Sequence, residues 1–90
     1  MAKLLPLGTI VINDLEKNEK VLIIGRLVKK ELDGEVFDYC GCTSPLGIQA
    51  NEELIFFNHN DVKRLLFIGY QDEEELKYAV AATIQRDKLK

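Results

Sequence analysis

Six serine, threonine or cysteine side chains offer a hydroxyl or thiol that could act as a nucleophile. They are Thr9, Cys40, Cys42, Thr43, Ser44 and Thr83. Nucleophilic catalysis also needs a base and a third group that orients the base. The sequence contains one histidine, His59, and no spacing places it beside any of the six. We therefore expect that the protein is not an enzyme.

The two cysteines, Cys40 and Cys42, are separated by one residue, which puts both side chains on the same face of a β-strand. A disulfide between them would close a strained ring that fits extended geometry poorly. Zinc takes about four ligands, and His59 is the only other candidate. We expect two reduced cysteines that pack as small apolar side chains, with no metal and no cofactor.

The carboxylates suggest structure rather than chemistry. Glu73, Glu74 and Glu75 form a run, but adjacent positions on a helix point in different directions, so the run is typical of a solvated helix start. Asp38 lies on a predicted strand and would need a partner if it faced inward. Arg26 is the obvious candidate for that partner. The alternative is a surface ion pair worth well under ~1 kcal/mol.

Composition excludes several classes of function. The chain has 90 residues, enough for a single domain over 1–90, and a formal net charge of −3. Nucleic-acid binders usually carry a basic stripe, so this charge argues against one. No apolar run approaches the length of a membrane span, and the N-terminal segment is too short for a signal peptide. We expect a cytoplasmic protein.

Five short segments rich in β-branched and aromatic residues predict strands, at 9–12, 21–28, 35–41, 54–57 and 64–70. Gly25 inside the second segment predicts a bulge or a bend. The Asp33–Gly34 pair is a strong hairpin signal between the second and third strands.

The turn after the fourth strand gives His59 a structural explanation. Asn58 is a good N-cap, and Asp61 follows three residues later. Phe57 and Val62 occupy the positions of a hydrophobic staple. We therefore expect His59 to be a surface residue of one helical turn.

A C-terminal helix is predicted at about 72–87. Asp72 is a plausible N-cap, and Glu75 three residues later completes a pair that resembles a capping box. An amphipathic stripe, expected to be buried, runs through Leu76, Val80, Thr83 and Ile84.

The order of these elements predicts an α+β fold that is mainly β. About five strands within 9–70 would form either a small twisted antiparallel sheet or a partly open SH3-like barrel. The single C-terminal helix would then cover the open side or an edge of that sheet. An exposed edge strand of this sheet could pair with the same strand of a second copy, so a homodimer is one of the alternatives.

The aromatic residues exceed what a thin core must bury. Alternate members of the pairs Phe37/Tyr39 and Phe56/Phe57 either fill the core or line a partner surface. We predict that a protein partner contacts Phe37, Tyr39, Phe56 and Tyr70.

Several short strings in a fixed order resemble one protein family. They are LPLGTIV at 5–11, IIGR at 23–26, FDYCGC at 37–42, PLG at 45–47, FFNHNDV at 56–62 and FIGYQDE at 67–73. The set is similar to the domain-of-unknown-function family four-one-seven-six of Gram-positive bacteria, over roughly residues 5–75. The one departure is at 42–44, where bulkier apolar or aromatic residues would be expected.

The resemblance implies a small cytoplasmic protein encoded beside type VII secretion systems and their LXG-type toxins. It implies an accessory or chaperone-like adaptor for a secreted effector and supplies no catalytic residues. An alternative is an immunity-like or regulatory protein whose acidity masks a basic toxin surface. A small-barrel nucleic-acid binder is the least favoured, because the charge opposes it.

Overall fold

Five strands and one long helix follow one another along the chain. The computed structural model describes residues 3–13 and 19–89. The elements are β1 (Ile10–Asn13), β2 (Lys20–Lys29), β3 (Val36–Ser44), β4 (Ile55–Phe57), a 3-10 turn (His59–Asp61), β5 (Val62–Phe67) and α1 (Glu73–Leu89).

The strands form one open antiparallel sheet in the order β4-β3-β2-β1-β5. β1 to β4 lie beside their neighbours in sequence, whereas β5 returns to pair with β1 at the far edge. The predicted α+β class, mainly β with one C-terminal helix, is confirmed. Of the two predicted architectures, the open sheet is the one found, because β4 and β5 lie at opposite edges.

A bulge bends β2 where Gly25 predicted one. The pairing shifts from Ile23 opposite Gly41 to Gly25 opposite Cys40, which leaves one extra residue in β2. A Cβ atom at position 25 would lie 2.7 Å from the Cys40 sulfur, so the close strand approach requires glycine here. Two residues later Leu27 adopts a positive φ of 50°, which adds to the local distortion.

The core lies between one face of the sheet and α1. Its fully or nearly fully buried members are Leu4, Val11, Val21, Ile23, Tyr39, Phe57 and Ala82. Burying one large apolar side chain contributes about 1.5–3 kcal/mol. Because the described residues form a single small hydrophobic cluster, the polar contacts that orient α1 carry more weight than they would in a larger domain.

The helix begins where the sequence predicted. Asp72 Oδ1 accepts a hydrogen bond from the Glu75 backbone N–H at 2.8 Å, which makes Asp72 the N-cap. The acidic first turn also favours the positive end of the helix dipole. No helix in the described ranges has the length and apolar character that a membrane crossing demands.

The predicted buried stripe of α1 is wrong for three of its four residues. Only Thr83 is buried, whereas Leu76, Val80 and Ile84 are 41%, 51% and 53% exposed. The residues that face the core are Ala79, Ala82, Thr83 and Arg86.

Polar contacts explain this rotation of the helix. Thr83 Oγ1 accepts a hydrogen bond from the buried Leu4 backbone N–H at 3.0 Å. In the first turn of the helix, Glu75 pairs with Arg26 of β2. These contacts turn the small alanines inward, where the backbones can approach closely, and the larger aliphatic residues outward.

Candidate interaction surface

A polar cluster contains the side chain of His59 and the hydroxyl group of Tyr39. Tyr39 Oη accepts a hydrogen bond from the Leu5 backbone N–H at 2.9 Å and lies 2.6 Å from His59 Nδ1. Since Oη already accepts one bond, the arrangement that satisfies both groups has Tyr39 donating its proton to Nδ1. His59 is then neutral and carries its own proton on Nε2.

Burial makes this neutral arrangement favourable. It raises the pKa of Tyr39 to about 12, and the Leu5 N–H offsets only part of that effect. Burial also lowers the pKa of His59, and the nearby Arg86 charge lowers it further. Both groups are therefore held in their uncharged forms at neutral pH.

Asp38 joins the same cluster. Its Oδ2 accepts a hydrogen bond from the His59 backbone N–H at 2.8 Å and lies 3.9 Å from Arg86 Nη1. The prediction that Arg26 would be its partner is wrong, because Arg86 arrives from α1 instead. Asp38 and Arg86 are both almost fully buried, so the alternative of a surface ion pair is also wrong.

The cluster joins four parts of the fold that are distant in the sequence. It connects the N-terminal segment, β3, the 3-10 turn and α1 through Leu5, Tyr39, His59 and Arg86. The Tyr39 hydroxyl is buried and holds its proton strongly, so it offers a poor nucleophile. His59 begins the helical turn that the sequence predicted, but its ring is half-buried against Tyr39 rather than exposed.

A second ion pair fixes the start of the helix. The Arg26 guanidinium contacts both carboxylate oxygens of Glu75, at 2.7 and 2.9 Å. Arg26 also donates to the Leu5 carbonyl at 3.3 Å, and its charge lies 4.7 Å from the centre of the Tyr78 ring. The sequence predicts only a capping role for Glu75. Its contact with Arg26 joins residues 49 positions apart, and local sequence patterns contain no information about such a pair.

The cysteines lie in the sheet as the sequence suggested. Cys40 and Cys42 are both free and buried. Burial, together with the neighbouring Cys42, raises the pKa of the Cys40 thiol, which keeps it protonated and unreactive. The described ranges contain no group of three or more potential metal ligands.

The four predicted partner-contact residues lie in different environments. Tyr39 is completely buried within the core, so its side chain is unavailable to a partner. Phe37 and Phe56 are half-buried and pack on each other with ring centres 5.8 Å apart. Tyr70 is 79% exposed. Contact of Phe37, Phe56 and Tyr70 with a partner stays a prediction.

The structure exposes an apolar face that the sequence assigned to the core. Leu76, Val80 and Ile84 follow one another at spacings of four residues, and we call them the helix stripe. The row extends about 12 Å along α1 at a rise of 1.5 Å per residue. Exposed apolar surfaces of this kind mark interaction sites more often than isolated exposed residues do.

A second apolar surface lies at the sheet edge. Leu65, Leu66, Phe67 and Ile68 are consecutive, and each is between 38% and 59% exposed. Because consecutive strand residues point to opposite faces, β5 is open to solvent on both faces. We call these four residues the β5 run.

A shallow groove lies at the start of the helix. Its lining comprises Leu7, Arg26, Tyr70, Asp72, Glu74, Glu75 and Tyr78. Two tyrosines and three carboxylates give the groove an aromatic and acidic character. Arg26 already occupies the face of Tyr78 and the carboxylate of Glu75, so much of this groove is used internally.

The family model described as "Domain of unknown function (DUF4176)" matches residues 4–78. The chain belongs to this family. The match confirms the resemblance inferred from the ordered strings and spans all five described strands and the first six residues of α1. Two members of the helix stripe, Val80 and Ile84, lie beyond the matched part of this DUF4176 chain. No curated protein and no solved structure matches the chain.

Proposed function

We propose that this DUF4176 protein is a non-enzymatic protein-binding module. Its proposed role is that of an accessory or chaperone-like adaptor for an LXG-type toxin of a type VII secretion system. The helix stripe is the observation that supports binding. Three large aliphatic side chains stay half exposed on a helix whose small residues face the core.

The stripe is held in a fixed position. Glu75 is tied to Arg26 at one end of α1, and Arg86 lies against Asp38 near the other. A surface that is ordered before binding loses little conformational entropy when a partner docks. The three side chains therefore form a suitable platform for an apolar face on a second helix.

Charge indicates the kind of helix that would fit. Glu73 and Glu74 are exposed in the first turn beside Leu76, and the whole chain carries a net charge of −3. An amphipathic helix with basic residues flanking its apolar face would complement this surface. In the proposed complex the toxin supplies such a segment.

The polar cluster supports a role without catalysis. The Tyr39 hydroxyl and His59 hold each other in neutral forms and connect four parts of the fold. Using the only histidine for this purpose leaves it poorly placed to activate a substrate.

Co-purification tests the proposal. The tagged protein would be expressed with the LXG-type toxin encoded beside it, and the retained toxin would be quantified. The double variant Val80→Lys/Ile84→Lys should reduce retention at least tenfold, because it places two charges in the apolar contact. The matched control Ala81→Lys/Gln85→Lys adds the same charge at exposed positions on another face of α1 and should retain the toxin.

Two results would contradict the proposal. Failure of the wild-type protein to retain the toxin would remove the adaptor role. Equal retention by both double variants, each folded by circular dichroism, would show that the helix stripe is not the binding face.

A toxin-neutralising role is the second candidate, and the exposed carboxylates at the start of α1 favour it. An acidic surface could cover a basic active site by complementary charge. Growth of cells that express the toxin separates the two roles. An adaptor should bind the toxin and leave it lethal, whereas an immunity protein should restore growth.

A further inference from the structure

We infer that two copies of this chain associate through β5, antiparallel and about a twofold axis, so that their sheets become continuous. This inference is independent of the proposed function, because it uses the β5 run and leaves the helix stripe free. The occupant of the β5 edge is a second copy of the same chain.

The first observation is the open edge itself. β5 contains six residues and, among the described strands, pairs only with β1. Its other side therefore presents the backbone donors and acceptors of an unpaired strand. Such an edge is a template for strand addition unless something protects it.

The opposite edge of the sheet is formed by β4, which is protected from the addition of a further strand. β4 has only three residues, and the 3-10 turn begins two residues after its end. Phe57, its last residue, is completely buried. A strand so short offers little backbone to a second chain. β5 is twice as long and carries four exposed apolar residues at and beyond its end.

The order of charges around β5 is self-complementary. Two basic residues, Lys63 and Arg64, precede the β5 run, and the acidic residues Asp72 and Glu74 follow it. An antiparallel pairing reverses one copy, so the basic end of each copy approaches the acidic end of the other. Within the described ranges neither Lys63 nor Arg64 forms an ion pair with its own chain, which leaves both charges available.

Twofold symmetry restricts the register. In a symmetric antiparallel ladder the twofold axis passes between a residue and its own copy, so one residue lies opposite itself and the others pair in reverse order around it. Centring on Arg64 would place two guanidinium groups opposite each other, which is unfavourable. Centring on Leu65 would place Arg64 opposite Leu66 of the second copy, twice, which sets a charge against an apolar side chain. Centring on Leu66 places Leu65 opposite Phe67 of the second copy, twice, so the three central pairs are apolar. Leu66 is therefore the assigned centre.

Sedimentation of the full chain tests the association. The wild-type protein should sediment as a dimer of the 10.3 kDa chain at a concentration of about 100 μM, and it should dissociate on dilution. Leu66→Lys places two like charges at the centre and should weaken association at least tenfold. Gln85→Lys adds the same charge on exposed α1 and should leave the dimer intact.

Disulfide trapping tests the register. Leu66→Cys should form a covalent dimer under mild oxidation, because directly opposed Cβ atoms lie about 4.5–5.5 Å apart. Lys63→Cys should not, since the two copies of residue 63 would be about 20 Å apart at 3.3 Å per residue. The native cysteines are buried and should contribute little to cross-linking.

A wild-type chain that stays monomeric at 100 μM would overturn the inference and leave β5 open to a strand from another protein. A dimer unaffected by Leu66→Lys, or trapped equally well by Lys63→Cys, would also overturn it. If Leu66→Lys abolishes the dimer while toxin retention persists, the inference holds and the helix stripe acts separately. Loss of toxin retention by Val80→Lys/Ile84→Lys with an intact dimer would leave the inference standing as well.

Discussion

Replacing Tyr39 by phenylalanine tests the polar cluster most directly. The substitution keeps the buried ring but removes the hydroxyl that accepts from the Leu5 N–H and contacts His59 Nδ1. Both partners are partly buried, and leaving such a group unsatisfied costs about 1–1.5 kcal/mol. We therefore expect the free energy of unfolding to fall by about 2–3 kcal/mol at pH 7.

The raised pKa of Tyr39 also predicts how the stability difference between Tyr39→Phe and wild type depends on pH. A tyrosine whose pKa is about 10 when unfolded and about 12 when folded stabilises the protein fully below pH 10. That contribution is lost as the pH rises through 12, because the unfolded chain ionises first. At 1.36 kcal/mol per pH unit, about 1.4 kcal/mol is lost by pH 11. The Tyr39→Phe variant has no hydroxyl to ionise at this position. The difference between its free energy of unfolding and that of wild type should therefore be about 1.4 kcal/mol smaller at pH 11 than at pH 8.

Urea unfolding followed by far-ultraviolet circular dichroism measures both quantities. Wild type and Tyr39→Phe would be compared at pH 8 and pH 11, so that other groups that ionise in this range cancel in the difference. Tyr70→Phe is the matched control, since Tyr70 is 79% exposed and its hydroxyl has no described hydrogen bond. A Tyr39→Phe deficit that is equal at both pH values would refute the assignment of a buried, protonated hydroxyl.

Two further predictions concern the attachment of α1 and the close approach of two backbones. Arg26→Met should cost about 3–5 kcal/mol because it leaves the Glu75 carboxylate without its partner, and adding Glu75→Met should recover most of that loss. Urea unfolding would contradict this if the double variant were less stable than the single one. Gly69→Ala should cost at least ~3 kcal/mol, because the added methyl would meet the Leu7 carbonyl oxygen. Gly34→Ala, where the nearest atom is 3.3 Å away, should cost less, and equal losses of melting temperature would contradict this reasoning.

The sequence by itself determined the local elements of this protein. Strand positions followed from short β-branched segments, the bulge from Gly25, and the helix start from Asp72. Each of these features depends on residues that are neighbours in the chain. The same holds for the family, since ordered local strings were enough to identify it.

The tertiary structure alone decided which residues meet across the chain. Arg26 pairs with Glu75 and Asp38 with Arg86, and periodicity contains no information about either pair. It also decided which face of α1 is buried. Apolar spacing pointed to the helix stripe, but long-range ion pairs and hydrogen bonds fixed the rotation and turned that stripe to solvent. Local patterns show which residues could be buried, while the energy of distant contacts selects which ones are.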